Sequence, residues 1–203
     1  GPWTAELALD TATTLTGSVT LAATDGLSLK GTVVAPGGVD LVDAAHVRLV
    51  GGAGGLAKKA KGAYRQAQLR DPLNAIVQAA GETLSSTISS SILNVSLPFW
   101  TLRSQAAALS IDELVAFAAE QLGQTLNWRI LGDGKIWIGA ETWTSVTLPE
   151  TADVLEQFPS EGRTVIGVET PSLLPGVNLA DVGKVVAVQH WIRPAEMRSW
   201  AWT

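Results

Sequence analysis

Trp3-Thr4-Ala5-Glu6-Leu7-Ala8-Leu9-Asp10 carries apolar side chains at 3, 5, 7 and 9, the two-residue period of a strand with one face on a core. Val19 and Leu21 repeat the spacing, as do Leu27, Leu29 and Val33. Between those two runs stands Asp25-Gly26, a hairpin signal because a type I′ turn requires positive φ. His46-Val47-Arg48-Leu49-Val50 reads as a further strand. The N-terminal part is therefore expected to be antiparallel and barrel-like or sandwich-like.

Outward from these strands the pattern changes. Gly51 to Gly55 breaks the alternation, and a basic stretch follows with Lys58, Lys59, Lys61, Arg65 and Arg70 before the first acid, Asp71. This stretch reads as a solvated loop leading into a helix. Asp71 is placed to cap that helix, Pro72 suits its first turn and Gly81 its exit. Leu73, Ile76, Val77 and Ala80 share one face. Residues 83–91 hold seven Ser or Thr, which predicts a loop or a weakly ordered strand. Ser110-Ile111-Asp112-Glu113 has capping-box spacing and predicts a second helix from Ser110, with Ile111, Leu114, Val115, Ala118 and Leu122 inward and Gly123 at its end. Leu126–Leu131, Gly132-Asp133-Gly134 and Lys135–Ile138 read as a hairpin. From Thr164 the chain returns to strands: 165–168, 184–192 and 198–203, with a local turn at Pro175-Gly176 and a break at Pro194-Ala195-Glu196.

The order is β-rich, α+β, β-rich: an α+β chain that is mainly β. With 203 residues, 46% apolar and only 16% charged, it has enough apolar surface to bury a core and lacks the composition of a disordered chain. No run approaches the roughly 20 apolar residues of a membrane helix, and no signal-peptide pattern opens the sequence. The absence of Cys excludes disulfides, thiolate catalysis and cysteine-based metal sites. A formal charge of -5 gives no global attraction to nucleic acid. Eight Trp against one Tyr and three Phe favour a scaffold or interface protein over an enzyme, since Trp is enriched among binding anchors.

Individual sites support that direction. Gly52, Gly54 and Ala57 fit a loosened G-x-G-x-x-A pattern, with Asp71 about twenty residues on. Yet Asp71 precedes a proline at a helix start, and the strands before the glycines read as hairpins rather than a β-α-β unit. A flexible connection is the simpler reading, and no cofactor is expected. His46 and His190 lie in strands without a second ligand at metal spacing, and no G-x-S-x-G string occurs. Asp112-Glu113 is accounted for by capping and Asp133 by its turn. Trp128, Trp137 and Trp143 gather around the hairpin. Trp191, Trp200 and Trp202 load the last strands, where Trp200 and Trp202 share a strand face. These last three are the candidate interface residues.

Several stretches together resemble a known family. Trp3-Thr4-Ala5-Glu6-Leu7, Val47 to Leu56 with its glycines, the Asp71-Pro72 helix and, most specifically, Trp128-Arg129-Ile130-Leu131-Gly132-Asp133-Gly134-Lys135-Ile136-Trp137-Ile138-Gly139-Ala140-Glu141-Thr142-Trp143 resemble the tail hub proteins of bacteriophages and related particles. Leu174-Pro175-Gly176-Val177 followed by Val185 to His190 is similar to that family's second barrel. The resemblance implies two β-barrel tube-type domains flanking a small α+β insertion domain: residues 1–56, 57–145 and 146–203. It implies a homotrimer whose six barrel units meet a six-fold tail tube. Distal tail and spike or tip proteins would be further partners, and the genome would cross the central channel without tight binding. The location is then the virion or a phage-like particle, and the protein is not an enzyme. Lys58, Lys59, Lys61 and Arg65 would face a partner or the channel. The chain is shorter than the contractile-tail members, so it resembles a minimal version. Two rivals stand beside this reading: a Trp-rich β module that binds carbohydrate or peptide, and a hydrolase with dispersed catalytic residues.

Overall fold

The computed structural model describes residues 1–9, 15–22, 26–39, 45–147, 154–166, 173–180, 182–193 and 196–203. They are mainly β. The chain divides into two compact units: Gly1–Leu21 with Ser28–Ala140, and Ala22–Leu27 with Glu141–Thr203.

The first unit opens with β1 (Thr4–Leu9), β2 (Ser18–Ala22), β3 (Ser28–Val39) and β4 (Ala45–Gly51), which form one sheet in the order β1-β4-β3-β2. β4 pairs antiparallel with both β1 and β3. The expected alternation is present: Val47 and Leu49 are buried while His46 and Arg48 are exposed. Gly31 and Gly51 make room for the Trp3 indole, which would lie 2.6 Å from a Cβ at either position. Of the expected turn, Asp25 lies outside the described residues, and Gly26 has φ +94°, the left-handed region that favours glycine.

The chain then forms β5 (Lys59–Gln68), α1 (Arg70–Ala80), the short α2 (Ser90–Leu93), β6 (Ser96–Ala106), α3 (Ala107–Leu122), β7 (Asn127–Ile130) and β8 (Ile136–Gly139). β5 and β6 pair antiparallel as a two-stranded ribbon, and β7 and β8 form the expected hairpin. One side of the ribbon, with Ala60, Leu97 and Leu102, shares a core with Leu73 and Ile76 of α1, Ile111 and Leu114 of α3, and Ile136 and Ile138 of β8. The edge-to-face contact of Trp100 with Phe117, centroids 5.3 Å apart, joins ribbon to helix. Gly81 and Gly123 end α1 and α3 in left-handed conformation, as C-cap glycines do.

Three expectations about this segment are corrected. The basic stretch is a strand, β5, not a loop leading into a helix. Its inward positions are Ala60, Gly62 and Tyr64, and two such small residues leave the period-two signal faint. Asp71 does not cap α1 by the usual bond: it lies inside the first turn, and its carboxylate accepts from the Gln68 N–H at 2.8 Å. The capping box at Ser110 is absent, because α3 starts three residues earlier at Ala107, directly out of β6 and without a side-chain cap. Ser110 is fully buried inside the helix, and Asp112 instead accepts from the Trp128 indole Nε1.

One irregularity in the ribbon positions its side chains. Ala60 faces Gln105 while Lys61 faces Arg103, so Ser104, at φ +57°, is an extra bulge residue.

The second unit contains β9 (Thr144–Val146), β10 (Val154–Phe158), β11 (Arg163–Ile166), β12 (Val177–Leu179), β13 (Gly183–Lys184), β14 (Ala187–Arg193) and β15 (Glu196–Trp202). Its sheets run β10-β11-β15-β14 and β13-β12-β9. They enclose a core of Ile166, Leu173, Leu179, Val185 and Ala201. Among the described residues this core has fewer members than the first unit's. Residues 167–168 of the expected strand and Pro194-Ala195 of the expected break lie outside the described residues. Gly176 has φ +96°, in keeping with the turn expected at Pro175-Gly176.

Candidate functional site

The glycine run that resembled a phosphate-binding turn is occupied from within. Gly52 and Gly54 adopt φ +76° and +74°, which turns successive N–H groups inward. The acceptor they meet is Glu82, just beyond α1. Its Oε2 accepts from Ala53 N–H at 2.8 Å and its Oε1 from Gly55 N–H at 3.0 Å. A carboxylate held by backbone N–H groups fills the role an anionic ligand would fill. A Cβ at Gly52 would lie 2.4 Å from Glu82 Oε2, and one at Gly55 only 1.7 Å from the Ala80 carbonyl oxygen. The turn is therefore a rigid internal clasp, neither a dinucleotide site nor the flexible connection expected. Beside it lies a hollow of about 280 Å³ lined in part by Lys30, Glu82, Asp133 and Lys135. Lys135 and Asp133 pair with each other at 2.9 Å, and Glu82 is committed to the loop.

His46 is exposed on β4. On β14, His190 is held at both nitrogens: Nε2 lies 2.9 Å from the Leu173 carbonyl and Nδ1 2.8 Å from Ser199 Oγ. A carbonyl only accepts, so Nε2 carries the proton and, in the neutral ring, the Ser199 hydroxyl donates to Nδ1. Burial lowers the imidazole's pKa, partly opposed by the Leu173 carbonyl. In the unfolded chain the ring takes its proton near the ordinary value of about 6.5; in the folded chain it does so only at lower pH. Stability of the second unit is therefore expected to fall as pH drops below about 6.5. Melts followed from pH 7.5 to 5 should show a midpoint that declines less in His190→Asn than in the parent chain; equal slopes would remove His190 as the cause. Among the described residues, no group of three or more His, Asp or Glu side chains is arranged to hold a metal ion.

The tryptophans divide by role. Trp128 is a core residue, while Trp137 lies beneath the Arg129 guanidinium at 4.6 Å. Trp143, expected beside the hairpin, belongs to the second unit, where Lys184 Nζ lies 5.2 Å from its ring. Trp191, Trp200 and Trp202 are brought together on one sheet face. Trp202 is opposite Ala187 and Arg163, Trp200 opposite Gln189 and Val165, and Trp191 opposite Arg198. The intervening Ser199 and Ala201 are fully buried. Successive strand residues point to opposite faces, so the three indoles occupy the face away from this unit's core, each partly buried.

Of the basic candidates, Lys59, Lys61 and Arg65 are exposed along β5. Lys58 instead reaches back, Nζ 3.4 Å from the Ala80 carbonyl. Register adds two residues that the linear sequence did not connect to them: Arg103 opposite Lys61, and Phe99 opposite Arg65. The guanidinium of Arg65 lies 5.8 Å from the Phe99 ring centroid. Only pairing with a strand more than thirty residues away reveals this aromatic.

No protein-family model matches the chain, and no curated protein matches it in sequence. Among solved structures, it is similar in fold to the 43 kDa tail protein of prophage MuSo2 from Shewanella oneidensis. The TM-score is 0.62 at 8% identity, covering 99% of this chain and 88% of that one. At that identity, what the two chains are shown to share is a fold, over almost the full length of both.

Proposed function

We propose that the chain is a structural subunit of a phage-like tail and acts by assembly rather than by chemistry. One observation carries the reading: its fold matches a prophage tail protein along nearly the whole of both chains. The internal use of the glycine turn and of His190 fits the same direction, since neither is left to serve a substrate. Within this reading the chain occupies the hub or baseplate position. Residues 1–56 and 146–203 contribute tube-type barrel portions around the insertion 57–145. Three copies form a pseudo-six-fold ring that joins the tail tube to distal and tip proteins and lets the genome pass. Trp191, Trp200 and Trp202 are interface anchors in this scheme: large amphipathic side chains on a face turned from the core.

Electron microscopy of the purified chain, with its mass measured in solution, tests this. A three-fold ring with a central opening and a mass of three chains is the expected result. A monomer that persists at high concentration and is absent from assembled tails would overturn it.

A further inference from the structure

We propose that the outward face of the β5–β6 ribbon docks against the outward face of α3 on the next copy of this chain, head to tail. This rests on the assembly reading above and supplies an interface for it.

The ribbon side of the contact is cationic with an apolar centre. Lys59, Lys61, Arg65 and Arg103 lie exposed on it, and neither strand contains an Asp or Glu. Among the described residues none of these four is in a salt bridge. Phe99 sits in the same face and is 58% exposed, a large apolar area to leave in water beside unpaired cations. Arg with an aromatic side chain is the combination enriched in protein contacts.

The helix side has the complementary character. α3 contains three acids and no Lys or Arg. Its buried residues, Ala107, Ile111, Leu114, Val115 and Ala118, define the inward face. At 100° per residue, Leu109, Glu113, Ala116 and Glu120 fall on the opposite side, and all four are exposed. Leu109 is 55% exposed. An apolar residue with two carboxylates along one stripe thus matches an apolar residue among four cations.

The layering makes the contact heterologous. The ribbon's inner face and the inner face of α3 share one core, so their outer faces point away from each other. A surface and its complement on opposed sides of one module cannot satisfy each other within the same chain. Repeated between copies, they generate a ring when the rotation closes. A nucleic acid would account for the ribbon's charge, but not for the matching acidic and apolar stripe on the helix.

The test is charge reversal read by sedimentation velocity at low and high salt, with circular dichroism and the melting midpoint confirming each fold. Lys61→Glu with Arg103→Glu is expected to weaken self-association by about a hundredfold, as is Glu113→Lys with Glu120→Lys, because like charges would face each other. The chain carrying all four changes should regain association. Phe99→Ser should weaken it without altering its salt dependence. An oligomer indifferent to both reversals overturns this interface and leaves the tail reading standing, whereas a monomeric parent chain overturns both. Loss of binding to a twenty-nucleotide single strand in the ribbon variant, with self-association unchanged, would assign the face to nucleic acid instead.

Discussion

Gly55→Ala is expected to lower the melting midpoint of the first unit by roughly 10 °C, following a loss of about 4 kcal/mol. The cause is steric. An added Cβ would lie 1.7 Å from the Ala80 carbonyl oxygen and 2.7 Å from its carbon, and both are backbone atoms at the end of α1 that no rotamer change can move. Relief requires the loop and the helix terminus to separate, which would pull Ala53 and Gly55 off Glu82. Gly123→Ala is the control. It places a Cβ in open space at φ +61°, so its cost is conformational alone, about 1 kcal/mol. If the two variants melted together, the close approach at Gly55 would not be part of the fold in solution.

The second large effect is expected from the carboxylate in the same clasp. Glu82 is 8% exposed and serves two backbone donors. Glu82→Ala leaves both N–H groups without their acceptor, that of Gly55 in a buried place and that of Ala53 at the hollow's edge where water can reach it, a loss of about 2 kcal/mol. Glu82→Gln should recover only part of this, since one of its two terminal atoms is a donor facing a donor. Hydrogen exchange separates this from general destabilisation. In Glu82→Ala, the amides of Ala53 and Gly55 should exchange much faster, while those of the β7–β8 hairpin change little. Unaltered protection at those two amides would mean that Glu82 does not hold the loop.

The elements written in local sequence were legible. Leu73, Ile76, Val77 and Ala80 lie on the buried face of α1 as their spacing requires, and Gly81, Gly123 and Gly134 adopt the positive φ that their places at helix ends and in a turn call for. The hairpin of β7 and β8 falls where Gly132-Asp133-Gly134 places it. Features that depend on distant partners were not legible. Nothing near Gly52–Gly55 announces that its acceptor is Glu82, 27 residues beyond Gly55. Ser110-Ile111-Asp112-Glu113 has the local signature of a helix start, but β6 runs straight into α3 and places Ser110 in the interior. β5 was hidden because two of its inward positions, Ala60 and Gly62, are too small to mark a hydrophobic period. The shared face of Trp200 and Trp202 followed from their spacing, whereas the alignment of Trp191 with them needed the pairing of β14 with β15.

The extra residue at Ser104 acts as a parity change. From Phe99 to Arg103 the odd-numbered side chains of β6 point to solvent; past the bulge Gln105 turns inward opposite Ala60, where its Nε2 is buried without a hydrogen-bond partner. Removing one residue here would invert the last steps of the strand and rotate the entry into α3. When distantly related chains are superposed through this ribbon, residue counting alone will set core positions of one against surface positions of the other. The correct correspondence has to be traced through the ladder, with a one-residue gap wherever the kink is missing.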